Sequence, residues 1–337
     1  MTAPAPPARA APSEGGRRPR EIQLNPRYGT GPAASAGAPP AMFLVHDGFG
    51  ETLHYRNLAR HLDRGQAVYG LYPMANERVV MIQTRIKDIA AAYVARIRRV
   101  QPEGPYLLGG LCAGGVIASE MARQLQADGL SVGLLALLDS ADLAAHMKIG
   151  RYTLGKWQGF NRELKQRLSG SGPWASLAAL FAHAGSLMGL TREQIGVKCG
   201  LTVAAFKARV LRFCLDTGRT PPGFVCGLSV NQIYTLAESS PVSEQPFMGD
   251  VLLFRATRGN GDFADEPFRN LFNDPLLGWA ARVTGQVTCV DVGGGHYSML
   301  DEPHVRTLAA RIQCHVDALS QPRPASTPAG AAFTSRA

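Results

Sequence analysis

Cys112 stands inside G-x-C-x-G, Gly110-Leu111-Cys112-Ala113-Gly114, with Gly109 before it and Gly115 after it. A thiolate is a strong nucleophile, and flanking glycines let neighbouring backbone pass where a Cβ would clash. The run PYLLGGL (105–111) before the cysteine reads as a buried strand, and AGGVIASEMARQLQADG (113–129) after it reads as a helix. The cysteine therefore falls on a strand-to-helix turn. With the helix starting at Ala113, its unpaired N–H groups and positive dipole end face the sulfur and any oxyanion formed beside it.

Such a nucleophile needs a base, and the base needs an orienting acid. The serine form of the motif, G-x-S-x-G, is the nucleophile elbow of α/β-hydrolases, where an acid and then a histidine follow in chain order. Asp139 closes the apolar run LLALLDS, at the carboxyl end of the next strand, the edge where parallel sheets build their sites. His296 lies in DVGGGHYSML behind Gly293, Gly294 and Gly295. The other seven histidines, at 46, 54, 61, 146, 183, 304 and 315, lack that setting. HDGFG (46–50) follows the first core strand and can expose a second backbone donor. The expected oxyanion donors are the N–H groups of Gly48 and Ala113, with Phe49 competing for the first place.

The elements that must hold these residues alternate. MFLVH (42–46), AVYGLY (67–72), PYLLGGL, GLLALLD (133–139), GDVLLFRA (249–256) and VTCVDV (287–292) read as strands. HYRNLARHL (54–62), residues 84–100, residues 113–129 and residues 302–319 read as helices. Strand and helix alternating at this spacing predict βαβ units and a mostly parallel sheet. The expected organisation is a flexible Pro/Ala-rich segment over 1–40, with 9 of the 23 prolines and a short edge strand in EIQLNP (21–26). A core over 41–140 and 249–319 follows, interrupted by a helical lid at 141–248 and closed by a flexible tail at 320–337.

Composition narrows the classes. The chain has 337 residues, 45% of them hydrophobic, enough for a sizeable core. No apolar run approaches the ~20 residues that span a bilayer, and the N-terminus lacks the apolar stretch of a secretory signal, so a soluble cytoplasmic protein is expected. The six cysteines form no C-x-x-C pair, and none has a histidine at zinc-ligand spacing, so no metal is expected. Net charge is +9, and residues 151–219 hold 11 Lys or Arg against 3 Asp or Glu. No nucleic-acid motif accompanies this excess.

The motifs FLVHDGFGETLHYRNLARHL, QPEGPYLLGGLCAGGVIASEMA, LLALLDSAD, VLLFRA, DPLLGW and GGGHYSMLDEPHV, taken in order across residues 21–319, resemble the thioesterase domains that end nonribosomal peptide and polyketide assembly lines. The resemblance implies an α/β-hydrolase fold with a helical lid. It implies an acyl chain taken from the phosphopantetheine thiol of an acyl or peptidyl carrier protein, then released by hydrolysis or ring closure, with no bound cofactor. It places the acid at Asp139. Stand-alone editing thioesterases carry the acid one strand later, where Asp262 and Asp265 are the candidates. The chain departs from the family in its nucleophile, cysteine in place of the usual serine, and no carrier segment is legible in residues 1–40.

A thiol has a chemical consequence. With serine, a carrier thioester becomes a more stable oxoester. With cysteine, thioester exchanges for thioester and the acyl group stays activated for a difficult intramolecular nucleophile or for water. The alternatives to a releasing thioesterase are an editing thioesterase or acyltransferase on the same fold, and a catalytically silent carrier-docking module. Oligomeric state is not legible.

Overall fold

The structure is a computed structural model, and it describes residues 22–25, 39–62, 66–142, 203–238 and 242–320. The expected alternation is built as a seven-stranded sheet. The strands are β1 (Ile22–Gln23), β2 (Met42–Val45), β3 (Val68–Leu71), β4 (Tyr106–Leu111), β5 (Val132–Leu138), β6 (Val251–Ala256) and β7 (Val287–Val292), in the order β1-β3-β2-β4-β5-β6-β7. Six strands run parallel, and only the two-residue edge strand β1 is antiparallel, pairing Ile22 with Gly70. That edge strand falls inside EIQLNP, and the adjoining Asn25 side chain accepts the Val68 N–H at 3.0 Å.

Side chains alternate across the sheet, as a period of two requires. Phe43, Val45, Leu108, Leu135 and Leu137 face one apolar cluster, with α2 (Ile86–Val100) and α3 (Ala113–Ala127) packed over it. Met42, Leu44, Leu107, Leu134 and Leu138 face the other, covered by α1 (Arg56–His61) and the last helix, Val305–Ser320. Both faces of the sheet are thus buried, which explains why its central strands are apolar without alternation. This is the α/β-hydrolase architecture.

Of the expected lid, residues 143–202 and 239–241 lie outside the described residues, and so does most of the basic stretch 151–219. The described part holds a helix over 203–217 (α4), a 3-10 turn at Gly223–Val225 and the helix Val230–Glu238 (α5). Arg85 at the start of α2 binds Asp216 of α4 at 2.7 Å, tying this layer to the core. Between β6 and β7 comes a four-residue helix, α6 (Phe268–Leu271), so that Val305–Ser320 is α7.

The strand order reverses between β2 and β4. The chain passes from β2 outward to β3 and returns to the other side of β2 for β4. Parallel sheets open a crevice at the carboxyl ends of such a strand pair, and ligand sites sit there. HDGFG follows β2, and Cys112 follows β4.

Candidate active site

Cys112 occupies φ 54°, ψ −120°, a conformation rare for a residue with a Cβ. The fold forces it. The Cys112 N–H still belongs to the sheet, donating to the Leu138 carbonyl at 3.1 Å, while Ala113 already begins α3. The carbonyl of Cys112 is held from behind by the buried Ser140 hydroxyl at 2.7 Å and by the Gly115 N–H at 3.1 Å. Gly114 is required by close approach, since a Cβ there would lie 2.5 Å from the Val45 carbonyl oxygen and 2.7 Å from that of His46. The elbow is therefore pressed directly against the end of β2.

Asp139 is fully buried at the end of β5, also at positive φ, 37°. Three N–H donors converge on its carboxylate. Oδ2 accepts from His296 Nδ1 at 2.7 Å and from the Phe268 N–H at 3.0 Å, and Oδ1 accepts from the Ala256 N–H at 3.1 Å. The Phe268 donor is the free N–H at the first residue of α6, and the Phe268 ring stacks on His296 at 4.4 Å between centroids. Nδ1 is committed to Asp139, and Cys112 lies close enough to the imidazole to act on its protonation. Burial opposes a charge on His296, but the bonds to Asp139 and Cys112 outweigh it and push its pKa up to about 10. The three residues that the sequence singles out are thus brought close together, with His296 and Asp139 hydrogen-bonded.

The alternative acids are placed elsewhere. Asp262 caps Ala264 at 3.1 Å in an exposed turn. Asp265 is buried but faces the histidine loop from below. Its carboxylate accepts the Tyr297 and Ser298 N–H groups at 2.8 and 2.9 Å, the Asn260 N–H at 3.1 Å and the Ser298 hydroxyl at 2.7 Å. It shapes the loop that carries His296 and makes no bond to the ring.

Asp47 sets Phe49 apart from Gly48. Its Oδ1 accepts the Phe49 N–H at 2.9 Å and the Glu51 N–H at 3.0 Å, which withdraws Phe49 as a donor. The N–H groups of Gly48 and Ala113 have no acceptor among the described residues. Gly48 lies over the start of α3, where a Cβ would be 3.7 Å from that of Ala113. Two unpaired donors, one in the HDGFG loop and one at the start of α3, thus lie close together beside the elbow.

Sequence reasoning passed over several residues here. Tyr297 donates from its hydroxyl to Asp47 Oδ2 at 3.0 Å, joining the histidine loop to the oxyanion loop. His54 lies edge-on to Tyr297 and, largely buried, has its pKa lowered to about 4 by loss of water. Tyr234 of α5 is buried, which pushes its hydroxyl well above the usual range. For Tyr297 alone a signal existed, its place beside His296. His146 and His183 lie outside the described residues, and among those residues no three metal-ligating side chains gather. No described helix is long and apolar enough to cross a membrane.

Residues 40–150 match the thioesterase domain family. The match takes in the oxyanion loop, the elbow and Asp139. The chain is 36% identical over 121 residues to malpibaldin synthetase of Mortierella alpina, covering 35% of this chain and 2% of that protein. It is 40% identical over 101 residues to a non-reducing polyketide synthase of Cladonia grayi, covering 30% of this chain and 5% of that one. The chain therefore spans a small fraction of the length of these relatives. Among solved structures, a four-domain nonribosomal peptide synthetase bound to AMP and glycine superposes with a TM-score of 0.50 at 21% identity, over 84% of this chain and 20% of that one. That likeness is one of fold, and the family match, over about a third of the chain, is to a thioesterase domain.

Proposed function

We propose that this protein releases an acyl, peptidyl or polyketide chain from the phosphopantetheine thioester of a carrier protein, through a thioester formed on Cys112. The observation that carries the reading is the chain Asp139–His296–Cys112, anchored by the 2.7 Å bond from His296 Nδ1 to Asp139, at the mouth of the β2–β4 crevice. Cys112 Sγ attacks the carrier thioester carbonyl, and the oxyanion is met by the N–H groups of Gly48 and Ala113. Collapse breaks the bond to the phosphopantetheine sulfur, which leaves with a proton from the imidazolium of His296. Water, or a hydroxyl or amine of the same chain, then attacks the Cys112 thioester. His296 takes the proton of that nucleophile, and the Cys112 thiolate departs. Attack by water gives the free acid, and internal attack gives a ring.

The cation on His296 fits a thiol nucleophile. An imidazole held protonated to about pH 10 supplies a positive charge beside the sulfur across the neutral range. The likenesses to peptide and polyketide synthetases support a carrier protein as the donor. The commitment of Asp265 to its own loop, and the exposure of Asp262, speak against the arrangement with a later acid. The test is intact-mass analysis after mixing with a slowly released acyl-pantetheine thioester. An acyl adduct that maps to Cys112, and is missing from a folded Cys112→Ala variant, is expected. Turnover surviving in that variant overturns the proposal.

A further inference from the structure

The β2–β4 ladder stops at the pair Val45–Gly110, one residue short of the elbow. Beyond it the His46 N–H donates to Leu71 of β3, and the Cys112 N–H donates to Leu138 of β5, both at 3.1 Å. A side chain joins the two strands at this last rung. The hydroxyl of Tyr55, at the entry to α1, accepts the Leu111 N–H at 2.6 Å and donates to the Val45 carbonyl at 2.8 Å. Tyr55 is fully buried in the cluster beneath the sheet, so its ring cannot swing away.

We propose that Tyr55 is a positioning residue, a one-oxygen spacer that fixes the oxyanion loop against the nucleophile. Leu111 immediately precedes Cys112, and Val45 comes three residues before Gly48. The two oxyanion donors follow the ends of the two strands, so their spacing depends on what ties those ends together. From the α3 side the limit is Gly114, whose close approach to the Val45 carbonyl allows no inward movement. From the α1 side the limit is the phenol, whose hydroxyl ties Val45 to Leu111. Without that hydroxyl two buried backbone groups lose a partner, and the strand ends are free to rearrange. The hydroxyl touches no substrate, and its effect passes through Gly48 and Ala113 alone.

The inference rests on the proposed function, because it assigns work to the same donors. Tyr55→Phe removes one oxygen and keeps the ring. With an acyl-pantetheine thioester, kcat is expected to fall about 10- to 100-fold with KM within twofold, since a displaced donor weakens the transition state and not the ground state. Alkylation of Cys112 by iodoacetamide, which forms no oxyanion, is expected to proceed at the wild-type rate. Should the phenylalanine variant not fold, 4-aminophenylalanine at position 55 keeps a donor for Val45 while serving Leu111 poorly, and an intermediate kcat at unchanged KM is expected. A folded variant with wild-type kcat, or one in which turnover and alkylation fall together, overturns the proposal. The two failures are told apart in the wild type. If no acyl adduct forms on Cys112 there, the reading of the site falls, and the role of Tyr55 falls with it.

Discussion

Asp139 and Asp265 are buried carboxylates on either side of one histidine, and their partners divide the work between them. Asp139 shares Oδ2 between the His296 ring and the Phe268 N–H of α6, and gives Oδ1 to the Ala256 N–H of β6. Asp265 spends all of its capacity on the loop backbone and on Ser298. Asp139→Asn is therefore expected to lower kcat by roughly 10²-fold or more. The loss should stop short of the ~10⁴-fold cost of the same change in a serine triad, because a thiol gives up its proton more readily. Asp265→Asn replaces acceptors with a donor facing N–H groups. It is expected to cost about 1–3 kcal/mol of stability while the folded fraction keeps its kcat. Denaturation curves and steady-state kinetics on both variants separate these outcomes. If Asp265→Asn proves the crippling change in a stable protein, the acid has been misassigned.

At the scale of elements, the elbow is a matter of clearance. A methyl group at Gly114 would drive α3 off the end of β2, since the Val45 and His46 carbonyls leave it no room. Gly129 ends the same helix at φ 76° with open space around its Cβ position. Gly129→Ala is expected to cost about 1–2 kcal/mol from left-handed backbone strain alone, with kcat unchanged. Gly114→Ala should lower kcat as well, and equal kinetics in the two variants would mean that the fit of α3 against β2 does not govern the site. This contrast also explains what the sequence discloses. Gly110, Gly114 and Gly115 cluster because backbone crowds one corner, and such crowding is written locally. The same holds for Asp139 and His296, each at the end of its own strand. The contribution of Phe268 is not written locally, because α6 has four residues and no periodicity to read. Tyr55 is legible only as one apolar position on a helical face. Its polar work depends on Leu111, 56 residues further along the chain, and on Val45 of a second strand, which no local pattern marks.

At the scale of the molecule, and among the described residues, the buried His46 and His296 and the partly buried His54 respond to pH in opposite directions. Burial disfavours the charged ring in all three. His46 is completely enclosed and is held down to about 4, where its bond to the Asp47 carbonyl does not compensate for lost water. His54 is held down to about 4 for the same reason. His296 alone has an ionic partner at 2.7 Å and is pushed up to about 10. An unfolded histidine titrates near 6.5. For His46 and His54 the unfolded chain binds more protons between about pH 6.5 and 4, so stability is lost as pH falls through that window. For His296 the folded protein binds the extra proton between about 6.5 and 10, so its contribution is complete below 6.5 and is lost as pH rises towards 10. Thermal melts from pH 4 to 10 should therefore peak near neutrality, with decline on both sides. His296→Gln is expected to flatten the alkaline decline and leave the acid one in place. His54→Gln is expected to soften the acid decline and leave the alkaline one. An alkaline limb that survives His296→Gln unchanged would show that the imidazolium beside Asp139 is not what the native fold holds on to at high pH, and that the charge next to Cys112 has another source.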